Sequence, residues 1–247
     1  MSVHKRYSKF QSDQRQFFDE LVTEDWDTYF SEDWDYTRRF EIKQLFQRIK
    51  PRTILDIGCG DGFRDGLMAD YPFVERVDAF DYSEKSIQKA EQNYPHSKVR
   101  RFAADFNELD PEIQCDLVIS FDVFEHLNKP EKYLEFSSRV CAPGGTVAIC
   151  TPNRLRLDSR LKILSKKPIE MVDIMHFQEY TAKEIFAMGR CFALTPNSWF
   201  GHGLITSQQP FNGWLQRLNI KQSTQLGYLL KNISHLIIVL MTKPTLS

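Results

Sequence analysis

Short apolar runs alternate with helix-like stretches from residue 53 onwards. Seven runs have the length and composition of β-strands, and they lie at residues 53–57, 76–80, 99–103, 117–121, 146–150, 192–199 and 236–243. Apolar residues recur at helical spacing between several of these runs, for example over residues 83–93 and 130–140. This alternation predicts an α/β fold with a mainly parallel, seven-stranded sheet and helices on both of its faces.

The first fifty residues carry a helical pattern instead. Phe40, Leu45 and Ile49 belong to a set of apolar residues that recurs at helical spacing. Pro51 ends this helix, because the residue before a proline avoids the helical conformation. We therefore expect an N-terminal helical extension over residues 1–50.

The remaining residues, 51–247, are predicted to form the main domain, since a chain of 247 residues suits one α/β domain with insertions. Two segments of that domain, near residues 153–177 and 200–232, show little regular pattern. Each of them follows one of the predicted strands or overlaps its end. We therefore expect them to be insertions that form a lid over a site.

The composition is that of a folded protein. Hydrophobic residues make up 42% and charged residues 26%, so the chain can bury a full core. The 32 Lys and Arg residues nearly balance the 33 Asp and Glu residues, which gives a formal net charge of -1. This balance argues against a nucleic-acid partner, because nucleic-acid-binding domains usually carry a strong excess of positive charge.

Cysteine usage and apolar run length predict the cellular location. The five cysteines form no C-x-x-C pair, which argues against a disulfide framework and a zinc knuckle. The N-terminus is polar and lacks the apolar core of a signal peptide. The longest strongly apolar stretch, residues 236–241, is far too short for a membrane span. These features predict a cytoplasmic protein without a transmembrane segment.

A glycine-rich turn follows the first predicted strand, with glycines at positions 58, 60 and 62. Glycines let the backbone approach a ligand closely, and a helix that begins after the turn presents free amide groups to that ligand. The Gly-x-Gly-x-Gly spacing differs from the Gly-x-Gly-x-x-Gly fingerprint of nicotinamide cofactors. Asp56 would also repel a pyrophosphate. Both features favour a ligand with a cationic centre and an ammonium group, such as S-adenosylmethionine.

Two acids follow the next predicted strands. Asp81 lies about 20 residues past the glycines, where a nucleotide-binding sheet places the acid that accepts hydrogen bonds from ribose hydroxyls. Asp78 is the competing candidate, but it lies inside the predicted strand. Asp105 and the adjacent Phe106 follow the third strand, where they could bond the exocyclic amine of adenine and cover its face.

Together these motifs resemble those of the class I S-adenosylmethionine-dependent methyltransferases. The shared segments occur in the family's order over roughly residues 50–152, and they are residues 55–62, 81–86, 105, 116–127 and 143–145. The pattern is most similar to that of the ubiquinone-pathway O-methyltransferases. The resemblance implies a Rossmann-like sheet that binds S-adenosylmethionine across its first four strands.

The resemblance also implies which residues bind this cofactor. They are Asp56, Gly58, Gly60, Asp81, Tyr82, Asp105, Phe106 and Phe121. The first three would approach the amino-acid end of the cofactor. The residues after the second strand would hold the ribose, and those after the third strand would hold adenine. The aromatic ring at the end of the fourth strand would line the pocket near the methionine moiety.

A second polar group consists of Glu125, His126 and the later His176. It resembles a pattern found in ubiquinone-pathway O-methyltransferases and in small-RNA 2′-O-methyltransferases, where the residues of the latter bind a divalent metal that grips the acceptor hydroxyls. Three roles stay open: a metal site formed by all three residues, a catalytic base supplied by either histidine, or a structural role. Asp122 replaces a glutamate common in the metal-binding subgroup, which favours the last two roles.

The acceptor is expected to be a small molecule. Residues 154–167 hold six basic residues against the single acid Asp158, which predicts a surface for an anionic acceptor. The sequence therefore favours a methyltransferase (EC 2.1.1.-) that methylates an oxygen of a small-molecule or glycan-type acceptor by in-line transfer. Three alternatives stay open: an N-methyltransferase, a nicotinamide-dependent oxidoreductase and a non-catalytic, cofactor-binding partner subunit.

Overall fold

The computed structural model describes residues 18–20, 32–106, 109, 112–173, 175–204 and 217–245. Its seven strands are β1 (Thr53–Ile57), β2 (Arg76–Asp81), β3 (Val99–Ala103), β4 (Cys115–Phe121), β5 (Cys141–Pro152), β6 (Thr195–His202) and β7 (Leu236–Thr242). They form one sheet in the order β3-β2-β1-β4-β5-β7-β6. Strand β7 pairs antiparallel with both neighbours, and the other pairings are parallel. The predicted α/β, Rossmann-like fold is confirmed.

The helices are α1 (Glu32–Phe46), α2 (Phe63–Ala69), α3 (Glu84–Asn93), α4 (Pro130–Val140), α5 (Leu157–Leu164), α6 (Ala182–Arg190) and α7 (Ile220–Leu229). Short 3₁₀ turns occupy Phe124–His126 and Lys231–Ile233. Side-chain caps start several helices. The Ser83 hydroxyl accepts from the amide of Ser86 at α3, and Thr181 and Glu184 form a capping box at α6. No helix in these described ranges is both long and apolar enough to cross a membrane.

The core lies on both faces of the sheet. Ile54 and Leu55 are neighbours in β1, so their side chains point to opposite faces. Ile54 packs in the cluster that includes α1 and α2, whereas Leu55 packs in the cluster that includes α4 and α6. This double covering explains why the central strands β1 and β4 are mostly apolar, whereas β3 at the end of the sheet carries Arg100 and Arg101.

Helix α1 is an integral part of this body. Its residues Ile42, Leu45 and Phe46 are buried in the same cluster as Val77 and Leu117 of the sheet. Because α1 packs against the sheet, this packing does not mark a domain boundary at residue 50. The predicted division of the chain there stays a prediction. Most of the proposed extension before α1 lies outside the described residues.

Both predicted insertions hold more regular structure than expected. The first contains α5, and the second contains α7 together with the end of β6, while residues 205–216 lie outside the described part. Strand β6 runs on because Gly201 lets it pass close to the next connection. A Cβ at Gly201 would lie 2.0 Å from the Ser234 hydroxyl oxygen, so the glycine permits close pairing instead of ending the strand.

Candidate active site

The glycine-rich turn has the conformation that its sequence predicts. Gly58 and Gly62 have φ values of 78° and 76°, in the left-handed region that favours glycine. The amides of Gly58 and Cys59 donate to the Phe80 carbonyl at 2.7 and 2.9 Å, which joins the turn to the end of β2. A Cβ at Gly58 would lie 2.4 Å from a methyl group of Val123. The turn therefore packs directly against the segment that follows β4.

Asp81 ends β2 beside this turn. Its two carboxylate oxygens accept from the amides of Gly60 and Ser83 at 3.0 and 2.9 Å. Burial raises the pKa of Asp81 to about 6, although these hydrogen bonds act in the opposite direction. The competitor Asp78 is instead neutralised within the sheet by an ion pair with Arg100. The structure thus places Asp81, and not Asp78, next to the glycines.

Asp56 lies in β1, one residue before the strand ends at Ile57, and its side chain is almost fully buried. Burial and the nearby charge of Asp65 raise the pKa of Asp56 well above its usual range. Asp56 lies beside the carboxyl group of Asp65, and the Oδ1 atoms of both residues lack a well-formed hydrogen bond among the described residues. The other oxygen of Asp65 pairs with Arg101 at 3.0 Å. Two adjacent buried carboxyl groups are stable when they share a proton or when a ligand donates to them. The Oδ1 of Asp56 fits the ammonium group of an amino-acid-bearing ligand.

The residues assigned to adenine follow β3 at the same edge of the sheet. Asp105 is exposed, and Phe106 is half-buried. The Phe106 ring packs against Tyr133 and Phe136 of α4, with centroids 6.0 and 5.8 Å away. The ring is therefore held by the core on one side.

The residues assigned near the ribose and the methionine moiety lie further along this edge. Tyr82 is half-buried directly after Asp81, and its ring lies 6.3 Å from that of Phe18. Phe121 ends β4, where the Arg64 guanidinium stacks 4.4 Å above its ring.

Glu125, His126 and His176 come together as their pattern predicts. One ligating atom from each lies within 4.8 Å of the others. Glu125 accepts from the Thr151 hydroxyl at 2.8 Å, but its Oε1 has no hydrogen-bond partner in the described part of the chain and lies 3.9 Å from His176 Nε2. Burial and the charge of Asp122 raise the pKa of Glu125 well above its usual range. The donor set and the orphaned oxygen fit a divalent cation.

His126 is a neutral imidazole in this setting. Burial and the neighbouring His176 lower the pKa of His126 to about 3. Its Nδ1 lies 3.2 Å from the Met175 carbonyl oxygen, which makes Nδ1 the donor and leaves Nε2 with a free lone pair. The Phe18 ring packs edge-on against His126 at 5.4 Å. Because Phe18 also contacts Tyr82, its ring lies between Tyr82 and His126.

Two members of this cluster were not identified from the sequence. Glu179 lies 3.2 Å from His176 Nδ1, and its other oxygen pairs with the buried guanidinium of Arg156. Burial opposes ionisation of Glu179, but the hydrogen bond with His176 and the charge of Arg156 hold its pKa below the usual value. The His-x-x-Glu spacing of 176 and 179 was the available signal. Arg156 is 20 residues away and offered none.

Only part of the basic stretch 154–167 carries free charge, and the predicted surface for an anionic acceptor stays a prediction. Arg156 is buried, and Arg154 pairs with Glu184 at 2.6 Å. Lys162 pairs with Glu170 at 3.0 Å. Glu170, Glu179 and Glu184 lie outside the stretch, and Asp158 within it pairs with Arg156 at 2.9 Å, so the sequence alone overstates the free charge.

Comparison with known proteins gives the family. Residues 33–190, more than half of the chain, match the model of a family described as a methyltransferase domain. The chain belongs to this methyltransferase family. The prediction of a class I S-adenosylmethionine-dependent methyltransferase is thereby confirmed at the level of the superfamily.

Individual relatives of this methyltransferase agree. A protein of Mycolicibacterium smegmatis, described as a probable S-adenosylmethionine-dependent methyltransferase, is 34% identical over 121 residues, which cover 48% of this chain and 46% of the relative. The chain thus spans less than half of that relative. A ubiquinone biosynthesis O-methyltransferase of Pelagibacter ubique is 24% identical over 65% of this chain and 73% of its own length.

The same fold occurs in a solved N-methyltransferase. The structure of NodS from Bradyrhizobium japonicum WM9, in complex with S-adenosyl-L-homocysteine, superposes on this methyltransferase with a TM-score of 0.63. The superposition covers 94% of this chain and 99% of NodS at 15% sequence identity. At this identity the likeness shows the shared fold.

Proposed function

We propose that this methyltransferase methylates a hydroxyl oxygen of a small-molecule or glycan-type acceptor. The observation that carries the proposal is the position of His176, whose Nδ1 is held by Glu179 while its Nε2 faces Glu125. The cluster lies beside the cofactor edge, because Val123 packs on Gly58 directly before the Phe124–His126 turn. The proposed proton acceptor and the proposed cofactor site would thus lie at the same edge of the sheet.

S-adenosylmethionine supplies an electrophilic methyl group when it is bound. The residues at the edge of the sheet fit this cofactor: the orphaned Oδ1 of Asp56 would accept from its ammonium group, and the free lone pairs of Asp81 would accept from its ribose hydroxyls. The left-handed turn at Gly58 keeps side chains away from the ligand path. The chain then supplies alignment of the acceptor, which is the main source of rate in such transfers.

The environment of His176 supports an oxygen acceptor. The carboxylate of Glu179 fixes the Nδ1–H tautomer of His176 and leaves Nε2 as the proton acceptor. A hydroxyl group becomes a strong nucleophile as a base takes its proton, whereas a neutral amine attacks through its own lone pair. A buried, oriented base is therefore of most use to an oxygen acceptor.

The experiment that tests the proposal uses the purified chain with methyl-labelled S-adenosylmethionine and matched panels of acceptors. Phenols and sugar alcohols form one panel, and amines of similar size form the other. Label transfer to hydroxyl compounds supports the proposal. Transfer to amines alone would support the N-methyltransferase alternative, and the absence of transfer to both panels would support a cofactor-binding partner subunit.

The affinity for S-adenosylhomocysteine is expected to depend on Asp81. Because burial raises the pKa of Asp81 to about 6, its carboxylate is charged above that pH and becomes protonated below it. The ribose hydroxyls donate to the charged carboxylate of Asp81, so S-adenosylhomocysteine binds most tightly at pH 7 to 8. Its affinity is expected to fall by about tenfold at pH 5. Calorimetric titration across this range measures the change.

The control for this prediction is Asp81→Asn, which cannot ionise. We expect this variant to bind more weakly at pH 7 and to lack the acidic step. A step of the same size in Asp81→Asn would assign the titration to another group and contradict the role of Asp81.

A metal-assisted reaction is a second candidate, favoured by the orphaned Oε1 of Glu125 and the close donors of both histidines. Under the base mechanism, exhaustive EDTA treatment leaves the transfer rate within about twofold of the untreated enzyme. The control is EDTA that has been preloaded with Mg²⁺. A loss of activity that a divalent ion restores would instead support a metal that lowers the pKa of the acceptor hydroxyl.

A further inference from the structure

Exposed apolar side chains are concentrated in one segment of this protein. The described part of the chain has nine exposed large hydrophobic side chains, and six of them lie between residues 161 and 177: Leu161, Ile163, Leu164, Ile169, Met171 and Phe177. Every residue from 163 through 171 is exposed. Single apolar residues on a surface are ordinary, but a concentration of this kind marks an interaction site.

The segment is anchored at its base and projects outwards. Arg156, directly before α5, is buried in its ion pair with Glu179. The Arg160 guanidinium donates to the Asn232 carbonyl at 3.2 Å and ties the middle of the helix to a neighbouring turn. Beyond these contacts Leu164 is 80% exposed at the end of the helix. Leu164 is therefore exposed at the end of a helix that the contacts of Arg156 and Arg160 hold in place.

Positive charge accompanies the apolar side chains. Residues 160–171 contain four basic residues and one acid, Glu170, which pairs with Lys162. Lys166 and Lys167 are exposed, and neither has an acidic partner among the residues that the structure describes. The segment therefore presents apolar side chains next to unneutralised ammonium groups.

We propose that residues 160–171, together with Phe177, form a docking surface for an anionic phospholipid bilayer. Such a bilayer offers phosphate groups to the lysines and, a few ångströms deeper, hydrocarbon to the leucine, isoleucine and methionine side chains. Protein interfaces favour tyrosine, tryptophan and arginine and are depleted in lysine, which matches this surface less well. The exposed lysines and the exposed apolar side chains together favour a lipid surface.

The docking surface adjoins the candidate active site. Phe177 directly follows His176, and its amide donates to the Glu125 carbonyl at 2.8 Å. A bilayer in contact with Phe177 would therefore lie beside the histidine cluster. Attachment to the bilayer does not depend on methyl transfer, so it can be measured without an acceptor or a cofactor.

The test is co-sedimentation of the full chain with vesicles. Equal parts of phosphatidylglycerol and phosphatidylcholine form the anionic vesicles, and pure phosphatidylcholine forms the neutral ones. The full chain is expected to bind the anionic vesicles. Its partition coefficient on the neutral vesicles is expected to be at least about tenfold lower. Raising the salt concentration should weaken the binding, because it screens the lysine–phosphate attraction.

Two variants locate the surface. Leu164→Glu and the pair Lys166→Glu/Lys167→Glu are each expected to weaken binding by at least about tenfold. The matched control is Lys129→Glu/Lys132→Glu, which makes the same charge change on exposed residues at the start of α4. This control should bind within about twofold of the unaltered chain. Circular dichroism and the thermal midpoint verify that each variant is folded.

Three results would overturn the proposal. The first is the absence of sedimentation with anionic vesicles. The second is an equal loss of binding in the control pair at Lys129 and Lys132, which would show a general effect of charge. The third is a dimer by light scattering that Leu164→Glu converts to a monomer, since a second copy of the chain would then cover this surface.

Discussion

Replacing His176 with glutamine is expected to lower kcat by about 10²–10⁴ and to leave the affinity for S-adenosylhomocysteine within about twofold. The side chain is buried in the cleft, with its Nδ1 against Glu179 and its Nε2 towards Glu125. Glutamine fills a similar volume and can still bond Glu179, but it cannot take a proton from the acceptor. The loss should therefore appear in kcat, measured with the best hydroxyl acceptor from the panel.

A matched variant separates this effect from a general disturbance. His96→Gln changes a histidine that lies 3.6 Å from Asp70, beyond the end of α3. We expect this control to keep the kcat of the unaltered enzyme. If His176→Gln also kept that kcat, the base role would be wrong, and the cluster would be structural.

Glu179→Gln provides an intermediate case. The amide keeps a hydrogen bond to His176 but loses the charge that stabilises a protonated imidazole ring. We expect a smaller loss of kcat than in His176→Gln, together with a shifted pH profile. A stability effect without a change in the profile would assign Glu179 to the fold alone.

Replacing Glu41 with alanine is expected to lower the free energy of unfolding by about 3–5 kcal/mol. Glu41 is fully buried in α1, where it accepts from Arg64 at 2.9 Å and lies 3.1 Å from His202 Nε2. Burial opposes its ionisation, but Arg64 and His202 hold the pKa of Glu41 below the usual value. Its removal leaves the buried Arg64 guanidinium with the more distant Asp122, 3.5 Å away, in place of its close partner. Loss of the close partner of a buried charge is more costly than the loss of the ion pair itself.

Urea denaturation measures this change, and the exposed pair of Glu75 and Arg52 supplies the control. Both of those side chains are more than half exposed, so Glu75→Ala should leave the unfolding midpoint unchanged. A double variant, Glu41→Leu with Arg64→Leu, should recover part of the stability because it removes both buried charges. A loss below about 1 kcal/mol in Glu41→Ala would contradict the importance of the pair.

The parts of the fold that the sequence predicts well depend on local patterns. The strands that end at Ile57 and Phe121 follow from apolar runs, and the turn at Gly58 follows from spacing. Asp81 was identified because its distance from the glycines is characteristic of the fold. Its carboxylate is found beside the amide of Gly60.

The parts that the sequence missed depend on distant partners. Strand β5 begins at Cys141, because that residue pairs with Cys115 across a bulge that looks like a turn in the sequence. Arg156 belongs to a basic run in the sequence, but its side chain is buried and forms an ion pair with Glu179. Neither partner can be identified from spacing alone, since both pairings are set by how helices and strands assemble.

The position of β7 between β5 and β6 has a consequence for synthesis on the ribosome. Strand β6 is made first, but its neighbour in the sheet is β7, so it must wait with its backbone unpaired. Roughly forty residues separate His202 from Thr242, and at ~5–20 residues per second the wait is about 2–8 s. Open strand edges attract other chains. The edge of β6 is therefore open to pairing with other chains until β7 has been made.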